Sequence, residues 1–305
     1  MKKFALYLEE VRAPFFTASI VPVILGASVA WYHTGRFHWG LFLLALAGGV
    51  LLHAGTNVAN DFFDHKSGDD RLNVDYVRPF TGGSRMIQRG LLTPKEVLWE
   101  SILAYLGAVA IGVVLTVHRG YPILILGGIG MFCGYFYTGT PLVLAARGVG
   151  ELVIGGNFGI LMTIGSYYVQ TGRFSLEAAL AGVPVALLIL LVIFINEFQD
   201  MKADALAGKR TLVVRLDRKR SSRLYLSIML LTYMWILVFA CLRLIGPFAL
   251  LAILSVPIAA RATAVALACY ERPEALAPAN AGTIMTHLSV GILISIGYVL
   301  QSLFS

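Results

Sequence analysis

Apolar residues run through this chain in long blocks, and the polar residues are gathered into the gaps between them. A helix that crosses a bilayer needs about 20 mostly apolar residues. That window fits nine segments, at about 14–33, 39–60, 97–117, 121–138, 149–170, 178–199, 223–243, 246–267 and 282–303. The gaps at about 61–95 and 201–222 are the only polar ones of any size. The pattern predicts an all-α, polytopic transmembrane bundle of about nine helices, a single domain over residues 1–305 with its termini on opposite sides.

Composition sharpens this reading. The 305 residues are 58% hydrophobic and 13% charged, with a mean hydropathy of +0.78. Soluble domains carry roughly 25% charged residues, so a water-soluble fold of this length is excluded. The formal charge of +7 is then no sign of a nucleic-acid partner, because in a membrane protein the side on which Lys and Arg lie is what matters. Counted along the nine spans, 20 of the 24 lie on the N-terminal side: three in 1–13, six in 61–95, Arg147, eight in 201–223, Arg261 and Arg272. Only Arg36, Arg119, Arg173 and Arg243 lie on the other. The bias predicts that the N-terminus and both long loops face the cytoplasm.

Two smaller features fit this scheme. Lys2 and Lys3 precede an apolar stretch, but Glu9, Glu10 and Arg12 interrupt the lead-in and Pro14 and Pro22 punctuate the apolar residues beyond it. The segment reads as an amphipathic lead into a retained first helix, not as a signal peptide. Cys133, Cys241 and Cys269 lie far apart without metal-ligand spacing, and read as small core residues.

The candidate chemistry lies where two spans end. The second closes on Asn57-Val58-Ala59-Asn60-Asp61-Phe62-Phe63-Asp64, followed by Gly68, Asp69 and Asp70, and the sixth on Asn196-Glu197-Phe198-Gln199-Asp200-Met201-Lys202-Ala203-Asp204. Residues four apart share a helical face, so Asn60 and Asp64 point together, as do Asn196, Asp200 and Asp204. The repeated Asn-x-x-x-Asp spacing, four spans apart, predicts two pseudo-repeated halves (motifs at 57–70 and 196–204) facing one cavity. Clustered carboxylates repel unless a cation sits among them, and an all-oxygen set suits magnesium bound with substrate phosphates. Asp61, Asp64, Asp69, Asp200 and Asp204 are the candidate metal ligands. Arg78, Arg85, Lys202, Lys209 and Arg210 are placed to take up remaining phosphate charge.

The pair of motifs resembles the UbiA superfamily of intramembrane prenyltransferases, over nearly the whole chain. Further segments resemble its menaquinone-pathway branch: Arg12-Ala13-Pro14, 19–26, Gly83-Ser84-Arg85, Arg89-Gly90-Leu91-Leu92-Thr93, 137–141, 167–172 and 208–216. One departure concerns the third acid of the first motif, whose usual place is taken by Gly68; this leaves open which of Asp69 and Asp70 approaches metal.

The resemblance implies a cavity open to the cytoplasm and to lipid, in a multi-pass protein of the bacterial cytoplasmic membrane. It implies Mg²⁺ as cofactor, held through Asp64, Asp200 and Asp204 as the catalytic core, with Asn60, Asn196, Arg12, Arg78, Arg85 and Lys209 against the diphosphate. Its substrates would be a polyprenyl diphosphate and a small aromatic acceptor, 1,4-dihydroxy-2-naphthoate, prenylated with loss of its carboxylate to give demethylmenaquinol. Acceptors of other branches (4-hydroxybenzoate, haem, chlorophyll-type pigments, archaeal lipids) are the alternatives within the class, and a secondary transporter the alternative outside it. Beyond membrane lipid no further partner is implied, neither nucleic acid nor an obligate protein.

Other polar and aromatic positions carry weaker expectations. Tyr135, Tyr137, Phe158, Tyr167 and Tyr168 are candidates for shielding a carbocation. His53 shares a face with Asn57 and reads as packing or cavity lining. Glu151 and Asn157 are intramembrane polar groups, a class that is costly and often functional, without an evident partner. Gly127-Gly128-Ile129-Gly130 and Gly155-Gly156 read as sites of close helix packing.

Overall fold

The computed structural model describes residues 2–68, 73 and 76–304, and among them it contains helices and no strand. A short helix α1 (Lys2–Glu10) leads through a tight turn into α2 (Thr17–Thr34). Then follow α3 (Trp39–Ser67), α4 (Pro94–Arg119), α5 (Pro122–Thr138), α6 (Gly150–Thr171) and α7 (Leu176–Leu206). The chain closes with α8 (Leu212–Leu216), α9 (Arg218–Cys241), α10 (Pro247–Cys269) and α11 (Ala277–Phe304). Eight of the nine expected spans are long and apolar enough to cross a membrane. The ninth, α5, is apolar but has 17 residues, about 26 Å at 1.5 Å per residue, short of a hydrocarbon core of about 30 Å. Polar side chains set several helix starts. Thr93 and Glu96 form a reciprocal capping box at α4, and Ser175 caps α7.

Helix α7 occupies the middle of the bundle, with α2, α6, α9 and α11 packed around it. Leu188, Leu191, Phe194, Ile195 and Phe198 of α7 meet Val21 and Leu25 of α2 and Val290 and Ile294 of α11 in one continuous core. Lipid-solvated helices gain little from apolar attraction to one another, so close approach through small residues is what holds them. A Cβ on Gly159 would lie 2.3 Å from Ala186 Cα, and one on Gly291 would lie 2.1 Å from Val21 Cγ1. Helix α3 pairs with α4 and α5, and α4 turns Trp99, Leu103, Leu106 and Val113 outward, as lipid contact requires.

Two expectations change here. Gly155 packs against Ala186 as expected, but Gly127 and Gly128 meet no neighbour within 4 Å of a built Cβ; they border a cavity. Cys241 is exposed and Cys133 and Cys269 are half-buried, so none is a core residue.

Helices α3 and α7 have 29 and 31 residues, about 44 and 46 Å. Both overrun the hydrocarbon thickness, and their polar last turns emerge at the same end of the bundle.

Candidate active site

The last turns of α3 and α7 face each other across a cavity of about 220 Å³. Asn60 and Asp64 line it from one side, Asn196, Asp200 and Asp204 from the other, as the four-residue spacing requires. Lys209, just past the end of α7, joins the two: its Nζ lies 3.2 Å from Asp64 Oδ1 and 3.9 Å from Asp204 Oδ1. The backbone sets its position. The chain turns at Gly208 (φ +76°), Lys209 N donates to Asp204 O, and Arg210 N donates to Ala146 O. Arg12 also reaches the cavity, from a left-handed backbone position (φ 57°) with its guanidinium 4.7 Å from the Phe15 ring centroid. Asn73, which sequence reasoning missed, donates to Asp200 Oδ1 at 2.8 Å and ties the loop after the first motif to the second.

Three expected ligands are elsewhere. Asp61 is buried and turned away from the cavity, accepting from Ser84 N at 2.8 Å. Gly83 presses against it, because a Cβ there would sit 2.5 Å from Asp61 Oδ1, and its φ of +66° favours glycine independently. Arg78 donates to Ser84 O, and Arg85 donates to Gly82 O and Asn73 O while stacking 4.2 Å over Tyr76. These two arginines brace the loop and do not line the cavity. Asp69, the fifth candidate, lies outside the described residues with Asp70. Beneath the loop, Glu10 accepts from the Ser84 hydroxyl; burial, with Asp61 nearby, pushes its carboxyl up to about 8. Lys202 and Arg210 are exposed.

The donor set fits magnesium carried with a diphosphate. Among the described residues no three acid, His or Cys side chains converge into a ready-made metal cage. Magnesium typically takes one or two carboxylates and completes its shell with water and phosphate oxygens, which is what Asp64 on one wall and Asp200 with Asp204 on the other can supply. The buried Asn60 Oδ1 has no hydrogen-bond partner and offers a further oxygen.

The sequence profile described as the UbiA prenyltransferase family matches residues 19–290. The chain belongs to the UbiA prenyltransferase family. It is 28% identical to a 1,4-dihydroxy-2-naphthoate octaprenyltransferase of Bacillus subtilis, over 95% of this chain and 91% of that protein. It is 32% identical to a protein of the same name from Mycobacterium tuberculosis, over 86% of each. In three dimensions it resembles a UbiA homolog from Archaeoglobus fulgidus, solved bound to DMAPP and Mg²⁺, with a TM-score of 0.63 at 14% identity, over 95% of this chain and 99% of that one. Membership makes the protein a prenyltransferase and sets aside the transporter reading.

A prenyltransferase needs room for a chain as well as a headgroup. A second, mainly apolar cavity of about 320 Å³ adjoins the first, lying between α3, α4, α5 and α6. His53, Thr56 and Phe158 border both. His53 Nδ1 lies 2.7 Å from Ser19 Oγ, and its ring is edge-on to Phe16 and Phe158. A π-helical turn over Gly156–Leu161 carries Phe158 to this junction and brings Asn157 Nδ2 to Gly130 O at 3.4 Å. Of the five candidate aromatics, only Tyr137 and Phe158 reach the headgroup cavity. Tyr135 is exposed and packs on Phe63, Tyr167 contacts His33, and Tyr168 donates to Arg119 O. Sequence reasoning also missed Glu197 and His287, which line the cavity from α7 and α11. An ionisable residue inside an apolar span was the signal available for both.

Proposed function

We infer that the protein transfers a polyprenyl chain from a polyprenyl diphosphate to 1,4-dihydroxy-2-naphthoate, releasing the ring carboxylate and giving demethylmenaquinol. One observation carries the reading: Asp64 and the Asp200/Asp204 pair meet across one cavity with Lys209 between them, and an apolar cavity continues from it. The acceptor is supported by the names of the relatives above and by the Arg12–Pro14, Gly83–Arg85 and 208–216 segments.

In this reading Asp64, Asp200 and Asp204 hold magnesium, and Asn60, Asn196, Arg12 and Lys209 bind the diphosphate. Magnesium, when bound, would neutralise charge that develops on the departing diphosphate. Lys209 and Arg12 add fixed positive charge at the same place. Tyr137 and Phe158 line the same cavity, where aromatic rings stabilise an allylic cation while the apolar walls keep water from capturing it. The two motifs belong to pseudo-repeated halves of one domain. The bias of Lys and Arg towards the loops at this end supports a site on the cytoplasmic side of a bacterial inner membrane.

The test replaces Asp64 and Asp200 singly with asparagine, which keeps shape and removes charge. Each variant should fold and insert normally yet lose at least about a hundredfold in turnover, as removal of a transition-state charge partner does. Near-normal rates in both variants would refute the metal assignment.

A further inference from the structure

Two buried acids stand beside the diphosphate cluster without belonging to it. Glu151, in the first turn of α6, is fully buried; Glu197 of α7 is 9% exposed and borders the cavity. Each receives one backbone hydrogen bond from α8: Leu212 N donates to Glu151 Oε1 at 2.9 Å, and Val213 N donates to the Glu197 carboxyl. Glu151 Oε2 and Glu197 Oε2 are buried and meet no donor, and the two carboxyl groups are neighbours. Two ionised carboxylates have only acceptors to offer and repel.

Only Glu197 of the two borders the cavity. It precedes Asp200 by three residues, about 4.5 Å along the helix axis, and Tyr137, Thr138 and Thr211 line the same cavity. A buried carboxyl group thus sits about one helical turn from the headgroup ligands in the cavity that Tyr137 also lines.

We propose that Glu197 takes the proton of the aromatic acceptor's ring hydroxyl, and that Glu151 is a positioning residue that holds Glu197 and shares its proton. This rests on the prenyl-transfer reading above. The O–H bond breaks as the ring carbon beside it, the one bearing the carboxylate, bonds to C1 of the prenyl chain. The C1–O bond breaks at the same stage, and its electron pair leaves with the diphosphate. The carboxylate then departs as carbon dioxide and leaves its bonding pair in the ring. The proton returns from the Glu197–Glu151 pair to the ring oxygen, so no external acid, base or redox partner is consumed.

The test uses the full-length protein in detergent with magnesium and a polyprenyl diphosphate. Glu197→Gln and Glu151→Gln are compared with wild type on the naphthoate and on its methyl ether at that hydroxyl. General-base removal predicts a loss in kcat of about 10²- to 10⁴-fold for Glu197→Gln on the hydroxyl acceptor, with donor KM within about threefold. The methyl ether should react slowly with wild type and no slower with the variant, because the hydroxyl and the carboxylate act as one unit. Turnover within threefold of wild type overturns the proposal. So does an equal loss on both acceptors, or failure of Glu197→Gln to bind donor, since either marks a structural role. Infrared difference spectra of the resting proteins test the shared proton without any acceptor: Glu151→Gln should lose a protonated-carboxyl band that Glu10→Gln retains, and no such loss refutes sharing. If wild type ignores the naphthoate but prenylates 4-hydroxybenzoate, the acceptor reading fails on its own. The same kcat comparison on that phenol, with and without its methyl ether, then decides the role of Glu197.

Discussion

Replacing Lys209 with methionine removes the ammonium group that sits between the two motifs while keeping much of the side chain's length. Its Nζ lies 3.2 Å from Asp64 Oδ1 and 3.9 Å from Asp204 Oδ1, and the side chain is 16% exposed. At an effective dielectric constant of about 20, unit charges at these separations attract by roughly 5 and 4 kcal/mol. Desolvation opposes much of that attraction, so these figures bound the effect from above. The quantity that turnover reads is smaller. One charge-assisted hydrogen bond to a phosphate oxygen contributes about 1.5–3 kcal/mol, or about 10- to 150-fold in an equilibrium constant.

Lys209→Met should therefore lower kcat/KM for the polyprenyl diphosphate by about 10- to 150-fold. The same change leaves Asp64 and Asp204 with less opposing charge, so the magnesium concentration for half-maximal rate should fall. Donor and metal constants thus move in opposite directions, which general damage to the fold does not produce. Lys209→Arg should keep both near wild type. The assay titrates donor at saturating magnesium, then magnesium at saturating donor. A donor kcat/KM within threefold of wild type, or a rise in the magnesium midpoint, would refute the bridging role.

Gly83→Ala forces a side chain into a left-handed turn against Asp61 Oδ1, 2.5 Å from the new carbon. The backbone cost of about 1–2 kcal/mol and the strained Ser84–Asp61 hydrogen bond should lower both the melting midpoint and donor kcat/KM, and wild-type values in both would contradict the loop's role. Gly128→Leu projects into open space of the apolar cavity; rates with a long polyprenyl diphosphate should fall while those with geranyl diphosphate persist, and an unchanged preference would show that the chain lies elsewhere. Glu10 holds its proton up to about pH 8, against an ordinary value of 4.5, so the folded protein binds a proton that the unfolded chain releases. Its contribution to stability is full below the ordinary value and is lost as pH rises through about 8. Glu10→Gln should flatten the fall of the melting midpoint between pH about 4.5 and about 8, and an unaltered slope would remove Glu10 as its cause.

The spans were legible because a lipid-facing helix must keep its surface apolar and satisfy its backbone within itself, and those demands write continuous apolar blocks. The pairing of Asn60 with Asp64, and of Asn196 with Asp200 and Asp204, came from helical period alone. Position along a helix does not say which neighbour packs against it. Asp61 and Asp64 stand three apart on α3, yet Asp61 faces the 76–85 loop and only Asp64 lines the cavity. That loop has no period, and the guanidinium groups of Arg78 and Arg85 settle on its backbone carbonyls. The Asn73–Asp200 hydrogen bond joins residues 127 apart in sequence, a closure that no local pattern announces. Gly128 and Gly155 look alike as glycines within apolar spans; one borders a cavity and the other packs on Ala186, because the facing helices differ in distance.

The central claim is tested most directly by product formation. Purified protein is incubated with magnesium, a radiolabelled polyprenyl diphosphate and 1,4-dihydroxy-2-naphthoate, with 4-hydroxybenzoate in a parallel reaction. The account predicts lipid-soluble labelled product from the naphthoate alone, abolished by EDTA and restored by added magnesium. Product from 4-hydroxybenzoate alone, or product that survives EDTA, would contradict it.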